Sequence, residues 1–165
     1  MTERLIVLIF LTCFLSGFET VKSQDMASKE EINYINSLLK INPYRDTFLE
    51  ITFFYSINIT QEKELVVTME FDGPFKTVLK ANIRDLGNSF LRDTSYEGNS
   101  SLCWYCKPNA ATKDNNCVYN ETITSETEKE SHLSDNICVM FDRDSNIRDE
   151  LIKALDKLFS RILEQ

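Results

Sequence analysis

Leu49-Glu50-Ile51-Thr52-Phe53-Phe54-Tyr55-Ser56-Ile57-Asn58-Ile59 alternates with a period of two. Every odd position is apolar, and every even position is polar except Phe54. Successive side chains of an extended chain point to opposite faces, so this pattern is that of a strand with one face buried and one in water. The alternation resumes after Gln61-Glu62-Lys63, with Leu65, Val67, Met69 and Phe71 set against Glu64, Val66, Thr68, Glu70 and Asp72. Asp72-Gly73-Pro74 turns the chain. A third run places Phe75, Leu79, Ala81 and Ile83 inward and Lys76, Lys80 and Arg84 outward. The three runs form an antiparallel meander with one apolar face. Folding at Gly73-Pro74 is expected to set Asp72 opposite Lys76 and Glu64 near Arg84, opposite-charge pairs that select the register.

Elements on either side extend the meander. Before it, Ser28-Lys29-Glu30-Glu31 is a capping box, and Ile32, Ile35, Leu38 and Leu39 recur at helical spacing until Asn42-Pro43 ends the helix. After it, Ser89–Arg92 begins a fourth strand, Glu97–Ser101 reads as a loop, and Cys117 to Ile123 is a short strand. Thr124 to Asp135 is acidic, rich in Ser and Thr, and reads as a connection. Asn136 to Phe141 is a last strand, with Ile137, Val139 and Phe141 on one side. A C-terminal helix follows, with Asn146 as N-cap, Asp149 and Glu150 in its first turn, and a stripe of Ile147, Leu151, Ile152, Leu155, Leu158, Phe159, Ile162 and Leu163. The expected fold is α+β: an antiparallel meander of about five or six strands, an N-terminal helix, and a C-terminal amphipathic helix on the apolar face.

The N-terminus sets the compartment. Arg4 precedes the apolar run Leu5 to Leu15, too short to cross a bilayer and the length of a signal-peptide core. Small residues near Ser23 suit cleavage there, so residues 1–23 are expected to be a signal peptide and 24–165 a single secreted domain. Cleavage leaves 142 of the 165 residues, enough for a core burying roughly two-thirds of the unfolded surface. The net charge of −8 is unaffected, because Glu3 and Glu19 balance Arg4 and Lys22. An acidic domain has no electrostatic footprint for nucleic acid, and no later run has the length of a membrane anchor.

Cys13 lies in the leader, and Cys103, Cys106, Cys117 and Cys138 remain, an even set that reads as two disulfides. Three connectivities are open. The nested one (Cys106–Cys117 inside Cys103–Cys138) is favoured over the crossed one, and both over Cys103–Cys106 with Cys117–Cys138. Asn58, Asn99 and Asn120 each open an Asn-x-Ser/Thr sequon and are candidate N-glycosylation sites.

Catalytic readings are weak. Cys103-x-x-Cys106 reads against a redox motif, because Trp104-Tyr105 lies between the cysteines, a sequon sits just upstream and Cys117 and Cys138 compete as partners, and it lacks the second close pair of a zinc ribbon. Asp142-Arg143-Asp144-Ser145-Asn146 opens like a calcium loop, but Ile147 stands where that loop needs glycine and Lys153 where it needs a bidentate glutamate. His132 is the sole histidine and lies in the polar connection. No enzyme activity, cofactor or metal is expected. Trp104 and Tyr105, held between cysteines, are candidate partner-binding residues. Two functions follow as expectations: a secreted glycoprotein engaging an extracellular protein, or a lipocalin-like carrier of a small apolar ligand held between sheet and C-terminal helix.

Overall fold

A computed structural model describes residues 29–71, 75–94, 99–108, 116–124, 128–142 and 147–163. The expected leader, Ser28, Asp72, Gly73-Pro74 and Asn146 lie outside the described residues. Helix α1 occupies 29–41. It buries Ile35, Leu38 and Leu39 and stops where the proline requires. Asn42 finishes it by donating its side-chain amide to the Leu38 carbonyl at 3.1 Å, one of the acceptors a helix end leaves unsatisfied.

Among the described residues nine strands follow: β1 (Tyr44–Asp46), β2 (Ile51–Ile59), β3 (Glu64–Phe71), β4 (Lys76–Asn82), β5 (Leu86–Thr94), β6 (Asn99–Cys106), β7 (Val118–Ile123), β8 (Lys129–Ser134) and β9 (Asn136–Asp142). Helix α2 spans Arg148–Leu163. All strand pairs are antiparallel. The α+β class, both helices and the meander β2-β3-β4 are as the pattern implies. The strands beyond the meander divide between two sheets: β1-β2-β3-β4-β7-β8 forms one and β5-β6-β9 the other.

Several local expectations are corrected. Leu49 is not in β2. Asp46 accepts the amides of Phe48 (2.9 Å) and Leu49 (2.8 Å), which bends residues 47–50 into a turn and leaves Leu49 exposed. The β3–β4 register places Glu70 opposite Lys76, with an ion pair at 3.1 Å, and Glu64 opposite Asn82. This differs by two residues from the expected pairing, a shift that keeps every side chain on its face. Arg84 has already left the sheet, because the Asn82 side chain accepts its amide at 3.0 Å and starts a 3-10 turn, Ile83–Asp85. Residues 99–101 belong to β6 rather than to a loop. The polar stretch after Thr124 contains β8, bonded along β7 and tied by Lys129–Glu121 at 3.1 Å. Its polarity follows from its edge position, with both faces in water, so no alternation marks it.

The chain passes between sheets three times at one end of the molecule, and those crossings are bonded together. They are the 3-10 turn from β4 to β5, the segment after Cys106 from β6 to β7, and Asp135 between β8 and β9. The Lys107 amide donates to Asp85 O and the Cys106 amide to Asp135 O, both at 2.8 Å. The Lys107 ammonium donates to Arg84 O at 2.7 Å. Cys106–Cys117 closes the same corner, and Cys103–Cys138 links β6 to β9, so the nested connectivity is the one present.

One core fills the interior: Tyr55, Ile57, Leu65, Val67 and Ala81 from the large sheet, and Leu102, Trp104, Ile137, Val139 and Phe141 from the small one. Leu151, Leu155, Leu158, Phe159 and Ile162 of α2 join them. Side chains tie the two helices together. Glu31 near the start of α1 binds Lys157 and Arg161, each at 2.9 Å, while the Tyr34 hydroxyl donates to Glu150 at the start of α2.

Candidate functional site

At the end opposite the crossings, two apolar side chains of one turn meet water. Turn 47–50 lies there, as do Phe71 and Phe75 on β3 and just before β4 and the β7 and β8 ends at Ile123 and Lys129, as the registers require. Phe48 is 87% exposed and Leu49 55%, on a turn whose amides are held by Asp46. Glu50 completes the turn at φ 55°, a conformation costly for a residue with a Cβ and retained only where surrounding bonds enforce it. The two apolar side chains therefore stand on a braced backbone.

Behind the tip runs a row of rings. Tyr44, Phe53 and Phe71 occupy facing positions on β1, β2 and β3. Their centroids are 5.4 and 5.3 Å apart in tilted pairs, and Phe75 stacks on Phe71 at 5.1 Å. Offset and tilted pairs at these distances satisfy the ring quadrupoles and stiffen the row. Phe75, expected inward, is instead 39% exposed at its end. One step deeper, the Tyr55 hydroxyl is buried and approaches Met69 Sδ at 3.0 Å. Burial, and secondarily the neighbouring Tyr44, push its pKa above the ordinary 10.0, so it remains a neutral donor.

The residues singled out by sequence are distributed otherwise. Trp104 is 3% exposed and stacks on Phe159 of α2 at 5.0 Å. It presents no surface to a partner, and its role is to dock α2 on the small sheet. Tyr105, next along β6, points outward at the crosslinked end, away from Phe48. The four cysteines are all in disulfides, which removes any thiol chemistry from the Cys103/Cys106 pair. His132 sits on β8 facing Asn120, whose side-chain nitrogen lies 3.2 Å from Nε2. Asn58 is exposed on the outer face of β2, Asn120 is half-buried on the inner side of β7, and Asn99 opens β6.

Sequence reading missed the Phe48 tip. Its signal was Asp46-Thr47 just ahead of the alternation, a side chain able to bond amides two and three residues on, which ends β1 and postpones β2. Among the described residues, no three or more His, Cys, Asp or Glu side chains converge on a common point, and no helix is long and apolar enough to cross a membrane. No protein-family model matches the chain, and neither a curated protein nor a solved structure matches it.

Proposed function

We propose that this chain is an extracellular binding protein that holds a protein partner at its aromatic end, with Phe48 and Leu49 as anchors. The carrying observation is the exposure of Phe48 on a turn that Asp46 keeps in one shape. A large aromatic on a braced backbone loses little conformational freedom on docking and buries much apolar area, the combination that interface hot spots use. The two disulfides fit the oxidising compartment that the leader implies. The test is a Phe48→Ser, Leu49→Ser double variant, set beside the wild-type protein in the extracellular fluid of its source. Wild type is expected in a stoichiometric complex by native mass spectrometry, and the variant at least tenfold less so with an unchanged melting curve. Equal complex formation by both proteins, or none by either, refutes the reading.

A second reading rests on the half-buried row Tyr44-Phe53-Phe71 and the buried Tyr55 hydroxyl: a small apolar ligand entering between the sheets at the same end. A small molecule extracted by organic solvent from both wild type and the Phe48/Leu49 variant would favour that reading over a protein partner.

A further inference from the structure

The outer face of the large sheet carries a single cross-strand row, Asn58-Val66-Lys80-Tyr119-Leu133, each member directly opposite the next on β2, β3, β4, β7 and β8. At about 4.8 Å per strand the row is about 19 Å long. Its far end exposes apolar area, Tyr119 at 41% and Leu133 at 50%, and Phe54 adds more two rows away. The helices and the small sheet reach the large sheet through core residues of its inner face. The near end of the row is the acceptor of a sequon, Asn58-Ile59-Thr60.

We propose that Asn58 carries an N-linked glycan whose function is to cover this face, and that Asn120 remains unmodified. The inference rests on the reading of residues 1–23 as a secretory leader. Asn58 is exposed, and its side-chain oxygen accepts the amide of Ile59 at 2.9 Å, a bond that does not use the side-chain nitrogen to which a sugar attaches. Asn120 differs in each respect. It faces Leu79 and His132 on the core side of the sheet, its oxygen is out of contact with solvent, and its nitrogen is engaged with the imidazole. A sugar on that nitrogen displaces His132 and starts on the wrong face. A branched oligosaccharide at Asn58 is bulky and solubilising, and its base lies in line with Tyr119 and Leu133. Exposed apolar sheet surface of this kind otherwise favours self-association.

The full chain is expressed in a secreting eukaryotic cell and the protein in the medium is mapped by glycopeptide mass spectrometry. Asn58 is expected to be occupied in most molecules, and Asn120 at least tenfold less often. Trimming the glycans of the folded protein with an endoglycosidase is expected to produce dimers or larger species in sedimentation. Asn58→Gln is expected to do the same. Secreted protein lacking residues 1–23 but bare at Asn58, or equally occupied at Asn120, overturns the site assignment and leaves the leader reading intact. An unprocessed chain retained in the cell overturns both. Trimmed protein that stays monomeric overturns the covering role.

Discussion

The side-chain amide of Asn36 pairs with the backbone of Ile57 as a neighbouring strand would. Asn36 Oδ1 accepts the Ile57 amide at 2.8 Å, and its Nδ2 donates to the Ile57 carbonyl at 2.9 Å. β1 covers only the first three residues of β2, so the rest of that edge would lie open. Helix α1 closes it with one residue. This contact fixes where α1 sits along the sheet, and through Glu31 and Tyr34 it fixes α2 as well.

Asn36→Ala should therefore cost about 1–3 kcal/mol, because two backbone groups lose their partner in a part-buried place. Ser37→Ala, on the exposed side of the same helix, should stay within about 0.5 kcal/mol. Urea melts of the two variants measure the difference, and equal midpoints would show that the Asn36 bonds contribute nothing.

Trp104→Ala should destabilise the domain by about 3–5 kcal/mol, since it empties the contact between α2 and the small sheet. As the sole tryptophan, residue 104 also reports its own environment. Its emission should be blue-shifted in the folded protein and move to the red in parallel with loss of helicity. A folded protein with water-like emission is incompatible with the stacked position.

Stability should fall as pH rises above about 10. The folded state holds the Tyr55 proton more tightly than the unfolded chain, whose phenol titrates near 10.0. Below that pH both states are protonated and the contribution is complete. Above it the unfolded state loses its proton first, and stability declines by up to about 1.4 kcal/mol per pH unit for this one group. Tyr55→Phe should flatten the alkaline limb of a stability–pH profile. An identical slope in the variant would assign alkaline loss to other groups.

The two disulfides should contribute unequally. Cys103–Cys138 closes a sequence separation of 35 and Cys106–Cys117 one of 11, about 4 and about 3 kcal/mol on the chain-entropy argument. Replacing each pair by serine and comparing melts tests the order. The Cys106/Cys117 variant should in addition lose hydrogen-exchange protection first at the amides of residues 106 and 107, which donate to Asp135 O and Asp85 O where the inter-sheet crossings meet.

Periodicity determined the local elements wherever one face met the core and the other met water. β2, β3, β9 and α2 are of this kind, because burial on one side writes a period of two or 3.6 into the residues. The same logic located Asn58 on a solvent face. The helix end at Asn42-Pro43 was legible because proline acts on its immediate neighbour alone. Tertiary structure decided the rest. β8 has no buried face, so pairing with β7 is its only cause and no pattern records it. The division into two sheets depends on turns at residues 83–85 and 135, whose bonds join groups from different crossings. Trp104 and Tyr105 are adjacent aromatics with nothing in sequence to separate them. Alternation along β6 sends one inward to Phe159 and the other out, and which one depends on where α2 comes to rest. The exposed Phe48 rests instead on a local bond, from Asp46 to the amides two and three residues on, which falls outside any period of two. Local pattern reports the environment of a residue, whereas contacts between distant segments, set by the chain's return on itself, divided the sheets and turned Trp104 inward.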